Sequence, residues 1–164
     1  MSKGLQTDEG RDATAANHVR PTALILNGEF IAAARKLLGH AQSEVRLCAY
    51  AWRWYENEPE IGIQLLNLDL YALRRRGVVV RAIVDTLAMR ETFRALGFDC
   101  ISIPSDRTLH TKAIGVDSTG LMIGSHNLTK RGTSDNIEAS VLIYDAEPVI
   151  AYNEYFDKMW AAYA

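Results

Sequence analysis

Short apolar blocks alternate along the chain with longer amphipathic blocks, in an order that predicts alternating strands and helices. Runs of apolar residues predict buried strands, and stretches with apolar residues three or four positions apart predict helices. The predicted strands cover Ala23–Leu26, residues 44–51, residues 78–85 and residues 98–103, and the predicted helices cover residues 28–38, 60–76, 86–96 and Ala146–Tyr163. A glycine follows each of the first three helices, as is common where a helix ends.

Three further apolar segments predict neighbouring strands later in the chain. Residues 112–116 and 121–123 flank the turn Asp117-Ser118-Thr119-Gly120, which predicts a hairpin with Gly120 at the flexible turn position. Residues 137–144 predict a third strand near this hairpin. The element order therefore predicts the α/β class, with a mixed β-sheet flanked by helices in an α/β sandwich.

Length and composition favour one folded domain after a polar arm. Residues 1–20 are polar with little periodicity, so we expect a flexible arm, and residues 21–164 are enough to bury the core of a single domain. No apolar stretch has the length of a signal peptide or a membrane span, so we expect neither secretion nor stable membrane association. Cys48 and Cys100 lie in apolar strands without metal-ligand spacing, which favours a reducing, cytoplasmic location.

Four polar side chains flank the predicted hairpin on the side away from its turn. His110 and Lys112 precede or begin its first strand, and Ser125 and Asn127 follow its second. A hairpin brings the far ends of its strands together, so these groups are expected to meet. An ammonium, an amide, a hydroxyl and an imidazole together suit a tetrahedral oxyanion such as phosphate.

The spacing of these residues resembles a known catalytic motif. The run His-x-Lys, four residues, Asp, six residues, Gly-Ser-x-Asn is similar to the HKD motif of the phospholipase D superfamily, with His110, Lys112, Asp117, Gly124, Ser125 and Asn127 in its fixed positions. Asn136-Ile137-Glu138 resembles the Asn-x-Glu of the smaller, nuclease-like members. We interpret Asp117 as structural, through local hydrogen bonds at the turn, and His126 as a rim residue.

The resemblance implies a phospholipase D-like sandwich and a metal-independent phosphodiesterase without a cofactor. His110 would attack phosphorus and form a phosphohistidine. Lys112 and Asn127 would bind the phosphate oxygens, and Ser125 would hold the loop and donate a hydrogen bond near the phosphate. Glu138 is the candidate to fix the tautomer of the nucleophilic imidazole.

A single copy of the motif implies a shared site. The larger members of the superfamily carry two facing copies in one chain, and this chain carries one. The resemblance therefore implies a two-fold symmetric homodimer, in which His110 of the second subunit is the general acid and base.

Several residues outside the motif are candidates for contacting the substrate. Trp52, Arg53 and Trp54 follow a predicted strand and could stack on bases or line a lipid-sized pocket, with core packing as the open alternative. Lys130, Arg131 and Arg107 flank the motif and could bind a neighbouring backbone phosphate, or could be ordinary loop charges.

Three functions are compatible with this pattern. An endonuclease that cleaves nucleic acid fits the short single-motif form. A phospholipid phosphodiesterase or phosphatidyltransferase is the second, and a module that binds nucleic acid without cleaving it is the third. The net charge of −2 and the pI of about 6.1 argue against tight, non-selective coating of DNA. His110 and Glu138 argue against a pure binder, which needs no oriented nucleophile.

Overall fold

A computed structural model describes residues 22–164, and the arm expected over residues 1–20 lies outside this range. Its centre is one seven-stranded mixed sheet with the strand order β1-β7-β6-β5-β2-β3-β4. The strands are β1 Ala23–Leu26, β2 Glu44–Ala49, β3 Val79–Val84, β4 Asp99–Ser102, β5 Ala113–Val116, β6 Gly120–Gly124 and β7 Ala139–Ile143. β2, β3 and β4 run parallel, and β5, β6, β7 and β1 pair antiparallel, so the expected mixed sheet is confirmed.

Helices cover both faces of this sheet. They are α1 Phe30–Leu38, α2 Gly62–Arg75, α3 Leu87–Ala95 and α4 Ala146–Tyr163. One core cluster joins α1, α2 and α3 to the sheet, and a second joins α4 to the opposite face. Because side chains alternate along a strand, Leu47 of β2 belongs to the first cluster and Cys48 to the second. The predicted sandwich is therefore confirmed.

The ends of the elements follow local backbone chemistry. Gly77 and Gly97 adopt φ of 90° and 84° after α2 and α3, a conformation that glycine tolerates best. The sequence predicts Gly120 as the flexible residue of the hairpin turn, but Gly120 has no positive φ. The residue with left-handed backbone in this turn is Asp117, with φ of 50°. A Cβ at Gly120 would lie 2.5 Å from Leu37 Cδ1, so this glycine allows close packing of α1 on the hairpin.

Both cysteines are buried and free, as the sequence predicts. Burial raises the pKa of the Cys48 and Cys100 thiols to about 12. Thiols that remain protonated and enclosed in this way act as small apolar side chains in the two core clusters.

A group of charged side chains fixes α4 to the sheet. Arg46 of β2 and Arg81 of β3 both pair with Asp157 of α4 and with Glu44. The Arg81 guanidinium also lies 5.2 Å and 5.1 Å from the ring centroids of Phe156 and Trp160, also on α4. Burial acts to raise the pKa of Asp157, but the two arginines outweigh it and hold that pKa below its ordinary value.

Asp117 is a structural residue, but its hydrogen bonds are not local. Its carboxylate accepts main-chain N–H groups of Gln42, Ser43 and Glu44 at 2.8 Å, 2.9 Å and 2.7 Å. These donors lie 73 to 75 residues earlier in the chain, where β2 begins. Asp117 therefore joins the hairpin turn to the loop that starts the central strand.

We predict that Asp117→Ala lowers the free energy of unfolding by about 2–4 kcal/mol, because three main-chain donors lose a charged acceptor. Asp117→Asn should lose less, since asparagine keeps one acceptor and tolerates the left-handed backbone. Urea denaturation measures both, with the exposed Asp106→Ala as the control at no more than about 0.5 kcal/mol. An Asp117→Ala variant as stable as the Asp106→Ala variant would contradict this role.

Candidate active site

The antiparallel pairing of β5, β6 and β7 assembles the polar cluster at one end of the sheet. Gly124 N donates to Lys112 O at 3.2 Å, one step beyond β5, so the segments around Lys112 and Ser125 lie side by side. Ser125 N donates to Ala139 O at 2.9 Å, which brings Glu138 beside them. The meeting of these segments that the sequence predicts is confirmed.

Gly124 makes this close approach possible. A Cβ at this position would collide with the main chain and hydroxyl of Ser140 and with the carbonyl oxygen of Ala139. Any other residue would therefore separate β6 from β7 at the point where Ser125 begins the site. The glycine of the motif has a steric role rather than a chemical one.

His110 and Lys112 share one aromatic surface. The His110 ring is exposed and lies 4.9 Å from the Tyr50 ring centroid, at an angle of 57°. Lys112 Nζ lies 4.7 Å from the same centroid and donates to His110 O at 2.9 Å. Burial lowers the pKa of Lys112, and the negative charges of Glu138 and Asp85 oppose that shift.

Tyr50 and Asp85 are site residues that the sequence reasoning missed. Tyr50 directly follows β2, and Asp85 directly follows β3, where its Oδ1 accepts Leu109 N at 2.7 Å. Both positions are at carboxyl ends of parallel strands, a place where binding sites form in α/β sheets. The sequence places Tyr50 and Asp85 at the ends of predicted strands, as it does Trp52, so the same signal was available for all three residues.

Glu138 bonds to the motif loop instead of to the His110 of its own chain. Its carboxylate accepts the Ser125 hydroxyl and Asn136 Nδ2, the latter at 3.0 Å. Burial acts to raise the pKa of Glu138, but these bonds and the Lys112 ammonium hold it below the ordinary value. Within residues 22–164 the His110 ring has no hydrogen bond, so its expected contact with Glu138 is absent from the single chain.

Ser125 holds the loop, as its sequence position suggests. Its oxygen accepts Ala139 N at 3.1 Å, and its hydroxyl hydrogen is directed to Glu138. A serine has one hydrogen to donate, so donation to a bound phosphate would require the bond to Glu138 to break.

Asn127 has a buried side-chain oxygen, Oδ1, that finds no partner among the residues described. The following residue fixes its position, because Leu128 N donates to Ala51 O at 2.9 Å and Arg53 N donates to Leu128 O at 3.0 Å. The Asn127 loop is thereby joined to the end of β2. A buried amide oxygen without a donor is costly in a folded protein, so Asn127 Oδ1 remains open to a donor that the described residues do not supply.

His126 is not the rim residue that the sequence suggested. It is 1% exposed, stacks on Phe30 with a centroid distance of 4.5 Å, and bonds to Ser140 Oγ at 2.8 Å and Asn27 O at 3.0 Å. Asn27 also bonds twice to the main chain of Glu138: Asn27 N donates to Glu138 O, and Asn27 Oδ1 accepts Glu138 N, each at 3.0 Å. His126 and Asn27 therefore support the motif loop and Glu138 from behind.

Asn27 is a third residue that the sequence reasoning passed over. It adopts φ of 47° immediately after β1. Asn-Gly is a common sequence where the backbone takes a left-handed turn, so Asn27-Gly28 carried a signal for an irregular position.

The segment Trp52-Arg53-Trp54, which begins three residues after the end of β2, divides between core and surface. Trp52 is 2% exposed, stacks on Phe93, and donates its indole N–H to Asn67 Oδ1 at 2.7 Å. It packs in the core and cannot stack on a base, so the core alternative holds for Trp52. Arg53 is exposed and Trp54 is half-buried, and both lie beside an open cleft.

The three cationic residues that flank the motif, Lys130, Arg107 and Arg131, differ in the partners of their side chains. Lys130 forms an ion pair with Glu58, and Arg107 Nη1 lies 3.4 Å from the Tyr163 hydroxyl. Arg131 is exposed at the start of a single π-helical turn, Arg131–Asp135, which the sequence did not predict. Of these three, Arg131 alone has no side-chain hydrogen bond or ion pair with the residues described.

Residues 22–164 contain no group of three His, Cys, Asp or Glu side chains arranged to hold a metal ion. No helix in the same range combines the length and the apolar character that a membrane crossing requires.

Comparison with protein families gives one match over most of the chain. Residues 34–160 match the family described as cardiolipin synthase, PLD-like domain. The mitochondrial cardiolipin hydrolase of Xenopus tropicalis is 29% identical over 133 residues, which cover 77% of this chain and 59% of the relative. The chain therefore spans about three-fifths of that curated relative.

Two solved structures share the fold over nearly their whole length. NucT from Helicobacter pylori has a TM-score of 0.72 at 15% identity and covers 88% of this chain and 98% of its own. Nuc from Salmonella typhimurium, a phospholipase D family member, has a TM-score of 0.70 at 20% identity, covering 88% of this chain and 97% of its own. At these identities the likeness shows the fold.

We predict that the two neighbouring histidines of the motif respond differently to truncation. His126→Ala should lower the free energy of unfolding by about 2–4 kcal/mol, because it leaves a cavity and two orphaned polar groups. His110→Ala should change it by no more than about 0.5 kcal/mol, since the ring is exposed and its aromatic contact is with Tyr50, itself at the surface. Denaturation curves of the two variants provide the comparison, and equal losses would refute the assignment of separate roles.

Proposed function

The chain belongs to the phospholipase D superfamily, in the family described as cardiolipin synthase, PLD-like domain, and on that premise we propose that it is a metal-independent endonuclease. The observation that carries this proposal is the meeting of His110, Lys112, Asn127 and Glu138 at one end of the β5–β6–β7 ladder. The exposed imidazole of His110 beside a buried ammonium suits attack on a phosphodiester.

The first chemical step forms a phosphohistidine. A bare ring nitrogen of His110 attacks phosphorus, the N–P bond forms, and the bond from phosphorus to the leaving oxygen breaks. The leaving oxygen takes a proton from His110 of the second subunit. Lys112 and Asn127 of both subunits bind the equatorial oxygens and stabilise their charge.

The second step returns the enzyme to its starting state. The imidazole of the second subunit, now neutral, takes a proton from water as the water oxygen attacks phosphorus. The N–P bond breaks, a phosphate monoester leaves, and both rings regain their first protonation states. The ammonium groups of the two Lys112 residues supply the positive charge, so the mechanism calls for no divalent cation.

The single chain offers half of this arrangement, which is why we propose a homodimer. Its exposed His110 ring has no orienting hydrogen bond within residues 22–164, and a second copy would supply both the acid and further polar groups. An apolar strip lies next to the site. Leu24 and Ile123 both pair with Val141 on the strand between them, so these three residues form one row across the sheet. The strip also includes Ile137, which is 96% exposed. Exposed apolar strips of this kind mark protein interfaces.

A lipid phosphodiesterase is the second candidate, and one observation favours it. The frog relative bears the name cardiolipin hydrolase, and the family description mentions cardiolipin synthase. The surroundings of His110 favour nucleic acid instead, because the adjacent cleft adds the charged Arg53 and Asp85 to an aromatic and apolar lining that includes Trp54 and Met89. Bases stack on aromatic and arginine side chains.

We predict that the purified protein cleaves single-stranded DNA, duplex DNA or RNA internally in the presence of excess chelator. His110→Ala should lower the rate at least about 1,000-fold, because it removes both the nucleophile and the general acid of the symmetric site. The measurement offers the three nucleic acids and cardiolipin vesicles in parallel.

Each other outcome of that assay has a definite meaning. Cleavage of cardiolipin alone would replace the nuclease with the lipid phosphodiesterase. Tight binding of nucleic acid without cleavage would indicate a binding module. Loss of cleavage with chelator, or full activity of His110→Ala, would reject the proposed chemistry.

We also predict a solution mass of twice the 18.3 kDa of one chain. Ile123→Glu should shift the protein to monomer and abolish His110-dependent turnover, because a charge in a desolvated interface is unfavourable. Leu68→Glu is the matched control, since Leu68 is 41% exposed on α2, away from the strip. Light scattering reports the mass, and a fully active native monomer would exclude a shared site.

A further inference from the structure

An open cleft lies at the carboxyl ends of β2 and β3, next to the candidate active site. Its lining includes Tyr50, Arg53 and Trp54 from the segment after β2, and Asp85, Thr86 and Thr92 from the end of β3 and from α3. No step of the proposed phosphodiester chemistry uses this cleft. Its position makes it the natural place for the part of a substrate attached to the reacting phosphate.

Tyr50 belongs to both the cleft and the active site. Its ring contacts the His110 ring and the Lys112 ammonium, and the same residue lines the cleft. A phosphate held between His110 and Lys112 would therefore have one of its ester substituents passing over Tyr50. That substituent would enter the cleft directly.

Both walls of the cleft are bonded to the loops that carry the motif. On one side, Arg53 N donates to Leu128 O at 3.0 Å, and Leu128 follows Asn127. On the other side, Asp85 Oδ1 accepts Leu109 N at 2.7 Å, and Leu109 precedes His110. The cleft is therefore held in a fixed relation to the reacting phosphate, as specificity requires.

The side chains of the cleft select one class of guest. The Arg53 side chain is exposed, and within residues 22–164 Arg53 forms hydrogen bonds only through its main chain, so the guanidinium is available to a ligand. Trp54 offers a half-buried indole, and Asp85 keeps a second carboxylate oxygen beyond the one bonded to Leu109. A carboxylate opposes a second phosphate but accepts hydrogen bonds from amino or hydroxyl groups. A nucleoside is an aromatic guest that carries such donors.

We propose that this cleft binds the nucleoside adjoining the scissile phosphate, with Trp54 and Arg53 as the residues that contact its base. Base stacking on aromatic side chains and arginine tolerates many sequences, so the cleft would favour nucleotides over other phosphodiesters without strong base preference. The inference rests on the proposed function for its biological meaning, but nucleoside binding can be measured without cleavage.

The test compares the dissociation constants of deoxythymidine 5′-monophosphate, inorganic phosphate and glycerol 1-phosphate, measured by calorimetry on the full chain. The native protein should bind the nucleotide at least about fivefold more tightly than phosphate, because one stacked base increases the affinity by at least about that factor. Arg53→Ala and Trp54→Leu should each reduce that preference to less than about twofold, and leave the affinity for phosphate unchanged.

Arg75→Ala is the matched control, because Arg75 is an exposed arginine at the end of α2, away from the cleft. Arg53→Ala keeps the test valid should Trp54→Leu fail to fold. Equal binding of nucleotide and phosphate by the native protein, or an unchanged preference in Arg53→Ala, would overturn the proposal. A preference for glycerol 1-phosphate over phosphate would do the same and indicate a lipid headgroup. Nucleotide preference without nucleic-acid cleavage would retain the cleft and reject the nuclease.

Discussion

The antiparallel ladder of β5, β6 and β7 is the constraint on which the site depends. It brings three segments that are distant along the chain, around Lys112, Ser125 and Glu138, to one end of the sheet. Main-chain hydrogen bonds define this arrangement, and Gly124 permits it by leaving room for β7. A shift of one residue in the pairing would turn every side chain to the opposite face and dismantle the cluster.

Much of the fold follows from local pattern, which is why the sequence predicts it well. Apolar periodicity locates all four α-helices and all seven strands of residues 22–164, and the predicted bounds of α4 agree with the structure. The ends of β2 and α2 are less well predicted, because the last residues of an element depend on contacts with its neighbours. The short π-helical turn after the motif has no periodic signal in five residues.

The candidate site is predictable where chemistry is encoded in spacing, and unpredictable where burial decides. The motif spacing predicts that His110 and Lys112 lie together, and the structure places both against Tyr50. His126 and Trp52 have polar or amphipathic side chains that suggest a surface role, but packing against Phe30 and Phe93 places both inside. Tyr50 joins the site across 60 residues of chain, a contact that no local pattern specifies.

The central claim is that His110 forms a covalent bond to phosphorus. Oligonucleotide labelled with ³²P at its cleavage site, mixed with excess protein and quenched in cold alkaline denaturant, tests it directly. Acid-labile label is expected on the peptide that contains His110, and no label is expected in His110→Ala. Continued cleavage by the native protein with no label on any peptide, or with label on another residue, would contradict it.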